Sequence, residues 1–318
     1  MKRYGILLVV CFSLILSFEQ AEGTEPNNVA NIASVSQSQT VKELYPNMEA
    51  GFLKDAVVSD LPTGVLLKAE NVVIRDKDLS QAIADANDKL EPQLKKYASF
   101  VLEQIALPKL LVTEIENDAE KSGSKITETD ENKIIQNYVG TLAKTIRISD
   151  AQVLEFYNSN KESLGGATLE QVKTQIGQLL SQQELQKLLS ELTNSIGTRM
   201  KIEVSASWLK TQAALETDNP VSKARANGNV SLVDFGSTGC VPCEMLAPIL
   251  NTLKEKYKGK ANIVLVQVTE EPVLASVYGV EVIPLQIFYN KTGKEVFRHA
   301  GFFPQEDIEK QLSQMGVK

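Results

Sequence analysis

The 318-residue sequence holds only three cysteines and one histidine. A structural zinc site takes four ligands, mostly from those two residue types, so this chain argues against one. So few cysteines also exclude a disulfide framework. Lysine and arginine form no cluster within a formal net charge of -7, so nothing supports nucleic-acid binding. Beyond the first 18 residues, no stretch is apolar for long enough to span a membrane. With 43% hydrophobic residues, a chain of this length is expected to form two domains.

The N-terminus has a pattern of its own. Met1-Lys-Arg-Tyr-Gly begins basic and runs into one short apolar segment ending at Phe18, with the small residues Ala21 and Gly23 just beyond. This is the pattern of a signal peptide over residues 1–23, with an uncleaved anchor as the alternative. The expected location is therefore outside the cytoplasm, in a periplasm. Cys11 would leave with the signal, and Cys240 and Cys243 would be the cysteines of the mature chain.

Residues 24–62 begin rich in small polar side chains and are expected to be poorly ordered, with a short helical piece around Val41–Leu44 or Gly51–Val57. From residue 63 to 210 helical periodicity dominates. Leu79, Ile83, Ala86 and Leu90 recur at helical spacing, as do Leu94, Tyr97, Val101, Leu102 and Ile105. Pro92 and Pro108 read as helix boundaries. Thr127 with Asp130, Ser149 with Gln152 and Thr168 with Gln171 have capping-box spacing. A stripe of Leu169, Val172, Ile176, Leu179, Leu180, Leu188, Leu189 and Leu192 is expected to be the buried side of a helix bundle. Ile202–Val204 reads as a strand able to pair with one near residue 66. Residues 211–228, interrupted by Asn219-Pro220 and Gly228, read as a linker. From 229 to 318 the pattern alternates in the order β-α-β-α-β-β-α.

Chemistry concentrates in Cys240-Val-Pro-Cys243, which follows an apolar strand and opens a helix. A thiol there faces unpaired backbone N–H groups and the positive end of the helix dipole. Both favour the thiolate, and a second thiol one turn away allows a dithiol–disulfide cycle. Asp234 lies in an otherwise apolar run, where desolvation raises a carboxyl pKa. His299 reads as an ordinary polar residue at a strand end.

With Asp234, Pro248, Tyr278-Gly-Val-Glu-Val-Ile-Pro284 and Gly301 at their spacings from the cysteines, residues 229–318 resemble the thioredoxin-fold oxidoreductases. The resemblance implies an α/β thioredoxin fold behind a mainly α-helical N-terminal domain. It implies that Cys240 attacks a client disulfide, Cys243 resolves the mixed disulfide, and Asp234 relays a proton for Cys243. It further implies a cis proline at Pro284 that, with Ile283, offers backbone groups to an extended substrate. Pro242 matches the reducing members better than the strongly oxidising exported ones. Three positions depart from the family: Gly239 replaces a usual Trp, Glu244 a usual Lys or Arg, and Leu265 the buried Lys that often partners the Asp.

Residues 63–210 are similar, more loosely, to the chaperone module of SurA-like exported prolyl isomerases. The similarity rests on Ala119-Glu-Lys-Ser-Gly, Ile148 to Asn160, the leucine stripe and Ile202 to Leu209. Together these readings predict an exported thiol–disulfide oxidoreductase, a reductase or isomerase rather than an oxidase. It would need no cofactor, bind protein clients and draw on a membrane electron donor. A holdase or assembly factor that uses its thioredoxin fold as a binding platform is the alternative. A reductant for one narrow client is another.

Overall fold

A computed structural model describes residues 39–318 except 162 and 163. The expected signal peptide and residues 24–38 lie outside the described residues. The chain begins with α1 (Val41–Leu44), a 3-10 turn (Phe52–Asp55), β1 (Val57–Ser59), β2 (Val65–Ala69) and β3 (Val72–Arg75). Helices α2 (Asp76–Ala84), α3 (Glu91–Lys96), α4 (Ala98–Lys121), α5 (Glu131–Thr145), α6 (Asp150–Ser159) and α7 (Leu169–Arg199) follow. Then come β4 (Ile202–Ser205), α8 (Ala206–Glu216), α9 (Pro220–Ala226), β5 (Val230–Gly236) and α10 (Val241–Lys256). The chain closes with β6 (Ala261–Gln267), α11 (Pro272–Val277), β7 (Leu285–Tyr289), β8 (Glu295–Ala300) and α12 (Gln305–Gln314).

The described residues divide into two compact units, one of 39–105 with 200–318 and one of 106–199. The first unit contains two four-stranded sheets, ordered β1-β4-β2-β3 and β6-β5-β7-β8. In the former, β4 pairs antiparallel with β2 (Leu67 opposite Val204), as expected from the sequence. In the latter, β5 is parallel to β6 and antiparallel to β7, which pairs antiparallel with β8. This is the thioredoxin fold, with the predicted element order.

Strand alternation sorts that second sheet into two faces. Val230 and Leu232 pack with Leu246, Leu250 and Leu253 of α10 and Ile308 and Leu312 of α12. Val233 and Phe235 face the other way, toward Val273 and Leu274 of α11, Val221 of α9 and Tyr97. Asp234 and Gly236 continue the first set by period two, so they point to the α10 side.

The expected linker at 211–228 is instead the end of α8 and all of α9. Asn219 caps α9 by accepting from the N–H groups of Val221 and Ser222, and Pro220 occupies the first turn, where its missing N–H costs nothing. The Asn-Pro pair thus starts a helix rather than breaking one. Val221 is fully buried under the sheet, and Glu216 accepts bonds from both N–H and hydroxyl of Ser99. Arg225 donates to Gly293 O and pairs with Glu49, fastening α9 to the β7–β8 turn.

The described part of the segment expected to be poorly ordered, residues 39–62, is folded, with short helical pieces at Val41–Leu44 and Phe52–Asp55 where the sequence suggested one. Val41, Phe52 and Leu53 are buried in it, enough apolar anchors to order a short stretch. Pro108 is likewise no boundary, since α4 continues through it. Leu102, Ala106 and Leu110 are fully buried on either side, and that burial outweighs the one backbone bond proline cannot make.

In the unit of 106–199, Val112, Ile115 and Ile134 form the core cluster. Ser149 and Gln152 make the predicted capping box, whereas Asp130 itself, not Thr127, caps α5. The leucine stripe of α7 differs from expectation. Ile176 is buried, but Leu180, Leu188, Leu189 and Leu192 are half-buried and Leu179 is 39% exposed. Among the described residues, no helix is long and apolar enough to cross a membrane.

Candidate redox site

Cys240 occupies the N-cap of α10 with extended backbone angles, and Cys243 lies on the first turn inside. The two form a disulfide with Cα atoms 5.2 Å apart. Cys240 is partly exposed and Cys243 buried, so the N-terminal residue of the pair is the one open to solvent. The loop before them turns at Gly239, whose φ of +81° suits a residue without a side chain. Glu244 reaches back to accept from the Gly239 N–H at 2.9 Å, closing that turn with a negative charge beside the pair.

The β7 approach supplies the other wall. The Ile283-Pro284 peptide is cis, and Cys240 Sγ lies 3.9 Å from Ile283 O. Pro284 is buried, and its carbonyl accepts from the N–H of Gly301 at 2.8 Å. Three apolar side chains near these residues in sequence are exposed: Val241 and Met245, one turn apart on α10, and Val282 next to Ile283.

Behind the disulfide sits Asp234, 5% exposed. Burial pushes its carboxyl up to about 6, and a hydrogen bond from Gln286 opposes that rise. Gln286 Nε2 donates to Asp234 Oδ1 at 2.8 Å. Oδ2 turns instead toward Gly236: a Cβ built on that glycine would sit 3.3 Å from Oδ2 and 3.7 Å from Cys243 Sγ. The carboxylate and the inner sulfur therefore line one small space, kept open by a missing side chain.

The structure thus brings together Cys240, Cys243, Asp234, Ile283 and Pro284. His299 stands apart from them, stacked on Phe303 with Nε2 3.3 Å from Phe302 O. Two contributors escaped the sequence reading, Gln286 and Gly236. The available signal was a lone amide in the apolar run Leu285-Gln-Ile-Phe-Tyr289. Among the described residues, no group of three or more His, Cys, Asp or Glu is placed to hold a metal ion.

The family model described as Thioredoxin matches residues 212–314. Thioredoxins of Staphylococcus aureus strains Mu50 and MW2 are 41% identical to this chain over 85 residues, which cover 27% of this chain and 81% of theirs. Among solved structures, chloroplastic thioredoxin z is similar at 28% identity, covering 30% of this chain and 85% of that one with a TM-score of 0.28. A mutant thioredoxin from Halobacterium salinarum NRC-1 is similar at 27% identity, covering 30% and 81% with the same TM-score. Through its C-terminal region the chain belongs to the thioredoxin family, which makes it a thiol–disulfide oxidoreductase at a general level.

Proposed function

We propose that this protein is an exported thiol–disulfide oxidoreductase that exchanges disulfides with protein clients through Cys240 and Cys243. The observation that carries the reading is the disulfide at the N-terminus of α10, with its outer sulfur beside Ile283 O and its inner sulfur near Asp234. In the reduced enzyme the Cys240 thiolate attacks a client disulfide; one client sulfur leaves as a thiolate and a mixed disulfide forms. Cys243 gives its proton to Asp234 and attacks Cys240, restoring the intramolecular disulfide and releasing the second client thiolate. Two electrons have moved from enzyme to client, so a donor must reduce the pair again. An electron donor in the membrane fits an exported enzyme, as supported by the basic, apolar start of residues 1–18. Val241, Met245 and Val282 support an extended, apolar client segment lying across the disulfide. The test is insulin reduction with dithiothreitol as donor: wild type accelerates it, and Cys240→Ser does not. Equal rates for the two proteins would refute the reading.

A holdase role in the manner of SurA-like chaperone modules is favoured by one observation, the half-buried leucines of α7 in the unit of 106–199. The full chain carrying Cys240→Ser and Cys243→Ser would then still suppress aggregation of a denatured client. Loss of suppression in that variant would assign any such effect to the disulfide chemistry.

A further inference from the structure

Asp234 lies in the central strand of its sheet, directly opposite Leu265 on β6 and Gln286 on β7. Residues opposite one another in a sheet share a face, so either neighbour can reach the carboxylate. Leu265 offers no hydrogen-bonding group. Gln286, fully buried, donates to Oδ1 at 2.8 Å, and its own Oε1 has no hydrogen-bond partner. An unsatisfied buried acceptor costs stability and is uncommon in a folded protein. Here it lies on the one side chain that already holds the buried acid.

We infer that Gln286 is a positioning residue for the resolving step, holding Asp234 through Oδ1 so that Oδ2 faces Cys243 across the space above Gly236. The inference rests on the redox reading above. When Asp234 is ionised, the Gln286 N–H₂ stabilises it. When Oδ2 takes the proton from Cys243, Oδ1 still accepts from the Gln286 N–H₂, so the carboxyl keeps its orientation through the step. No bond to carbon changes in this step: the proton passes from sulfur to oxygen, and the sulfur's electron pair goes on to attack Cys240. The ionisable groups around Asp234 are few. From α10 it is Cys243; β6 contributes the apolar Leu265; β8 places His299 opposite Gln286, one strand farther away. A neutral amide is therefore the polar control on this carboxylate.

The experiment follows the decay of a Cys240–client mixed disulfide against pH in wild type, Gln286→Leu and Gln286→Met, alongside alkylation of reduced Cys240 by iodoacetamide. A hydrogen bond to a charged group is worth at least a tenfold preference for the ionised form. Loss of the donor should thus slow resolution about tenfold below the midpoint and move that midpoint up by about one pH unit. Cys240 alkylation should stay within about twofold, which a general loss of structure would not allow. Unchanged resolution in both variants, with wild-type melting curves, would overturn the inference while leaving the redox reading intact. A measurement that leaves Gln286 unchanged covers Gln286 variants that fail to fold. The side-chain amide resonances of Gln286 should titrate with Asp234, and they should be flat in Asp234→Asn. Amide signals that ignore Asp234 would also overturn it. Insulin reduction by Cys240→Ser at the wild-type rate would strike the redox reading instead.

Discussion

Replacing Asp234 by Asn should make the oxidised protein more stable in a strictly pH-dependent way. The carboxyl titrates near 3.8 in an unfolded chain and near 6 in the fold, because burial outweighs the hydrogen bond from Gln286. The folded state therefore binds this proton more tightly than the unfolded state. Stability from this group is greatest below pH 4, declines as pH rises from about 4 to 6, and levels off above that. A rise of a little over two pH units corresponds to roughly 3 kcal/mol at 1.36 kcal/mol per unit. Asp234 is 5% exposed, so solvent screening removes little of it. Asparagine brings its own desolvation cost, but that cost does not vary with pH. The quantity to measure is thus the difference between variant and wild type at pH 8 minus the same difference at pH 3.5. The single tryptophan, Trp208, lies on α8 in the same unit as Asp234, and its fluorescence during urea unfolding reports that unit. Expected is a gain for Asp234→Asn of about 3 kcal/mol between the two pH values. A gain within 0.5 kcal/mol of zero, roughly the noise of a surface substitution, would show that the carboxylate is solvated and that the proton-relay geometry is wrong.

Further outcomes follow from other contacts. Met245→Ser with Val282→Ser should raise KM for a protein client about tenfold, while the rate with a small aromatic disulfide is unchanged, because the lost apolar area contacts only the larger partner. An equal loss with both substrates would place those side chains in the chemistry rather than in docking. Gly293→Ala should cost about 2 kcal/mol or more, since φ is +76° and the new Cβ would meet Arg225 O at 2.7 Å. Gly259→Ala, at the same φ with open space around it, should cost only about 1 kcal/mol in the same unfolding assay. Matching losses would mean that α9 is not pressed against the β7–β8 turn.

What could be read without coordinates was local. The Cys240-Val-Pro-Cys243 pair, the strand before it, the helix after it and the hairpin at 285–300 each announce themselves within about ten residues. Turn chemistry and hydrophobic period act over that range. The same local reading failed where distant contacts overrule it. Asn219-Pro220 looks like an interruption until Val221 is seen under the sheet, and Pro108 looks like a stop until the burial around it is counted. Residues 24–62 read as poorly ordered apart from a short helical piece, yet a few apolar anchors order their described part, 39–62.

From its order of residues alone the chain settles that a strand, a turn and a helix present two thiols one helical turn apart, since backbone propensity and capping operate between near neighbours. Tertiary structure decides which amide attends the acid beside them. Asp234 and Gln286 are 52 positions apart and meet only because β5 and β7 pair in one antiparallel register, and a slip of one residue would turn the amide to the opposite face.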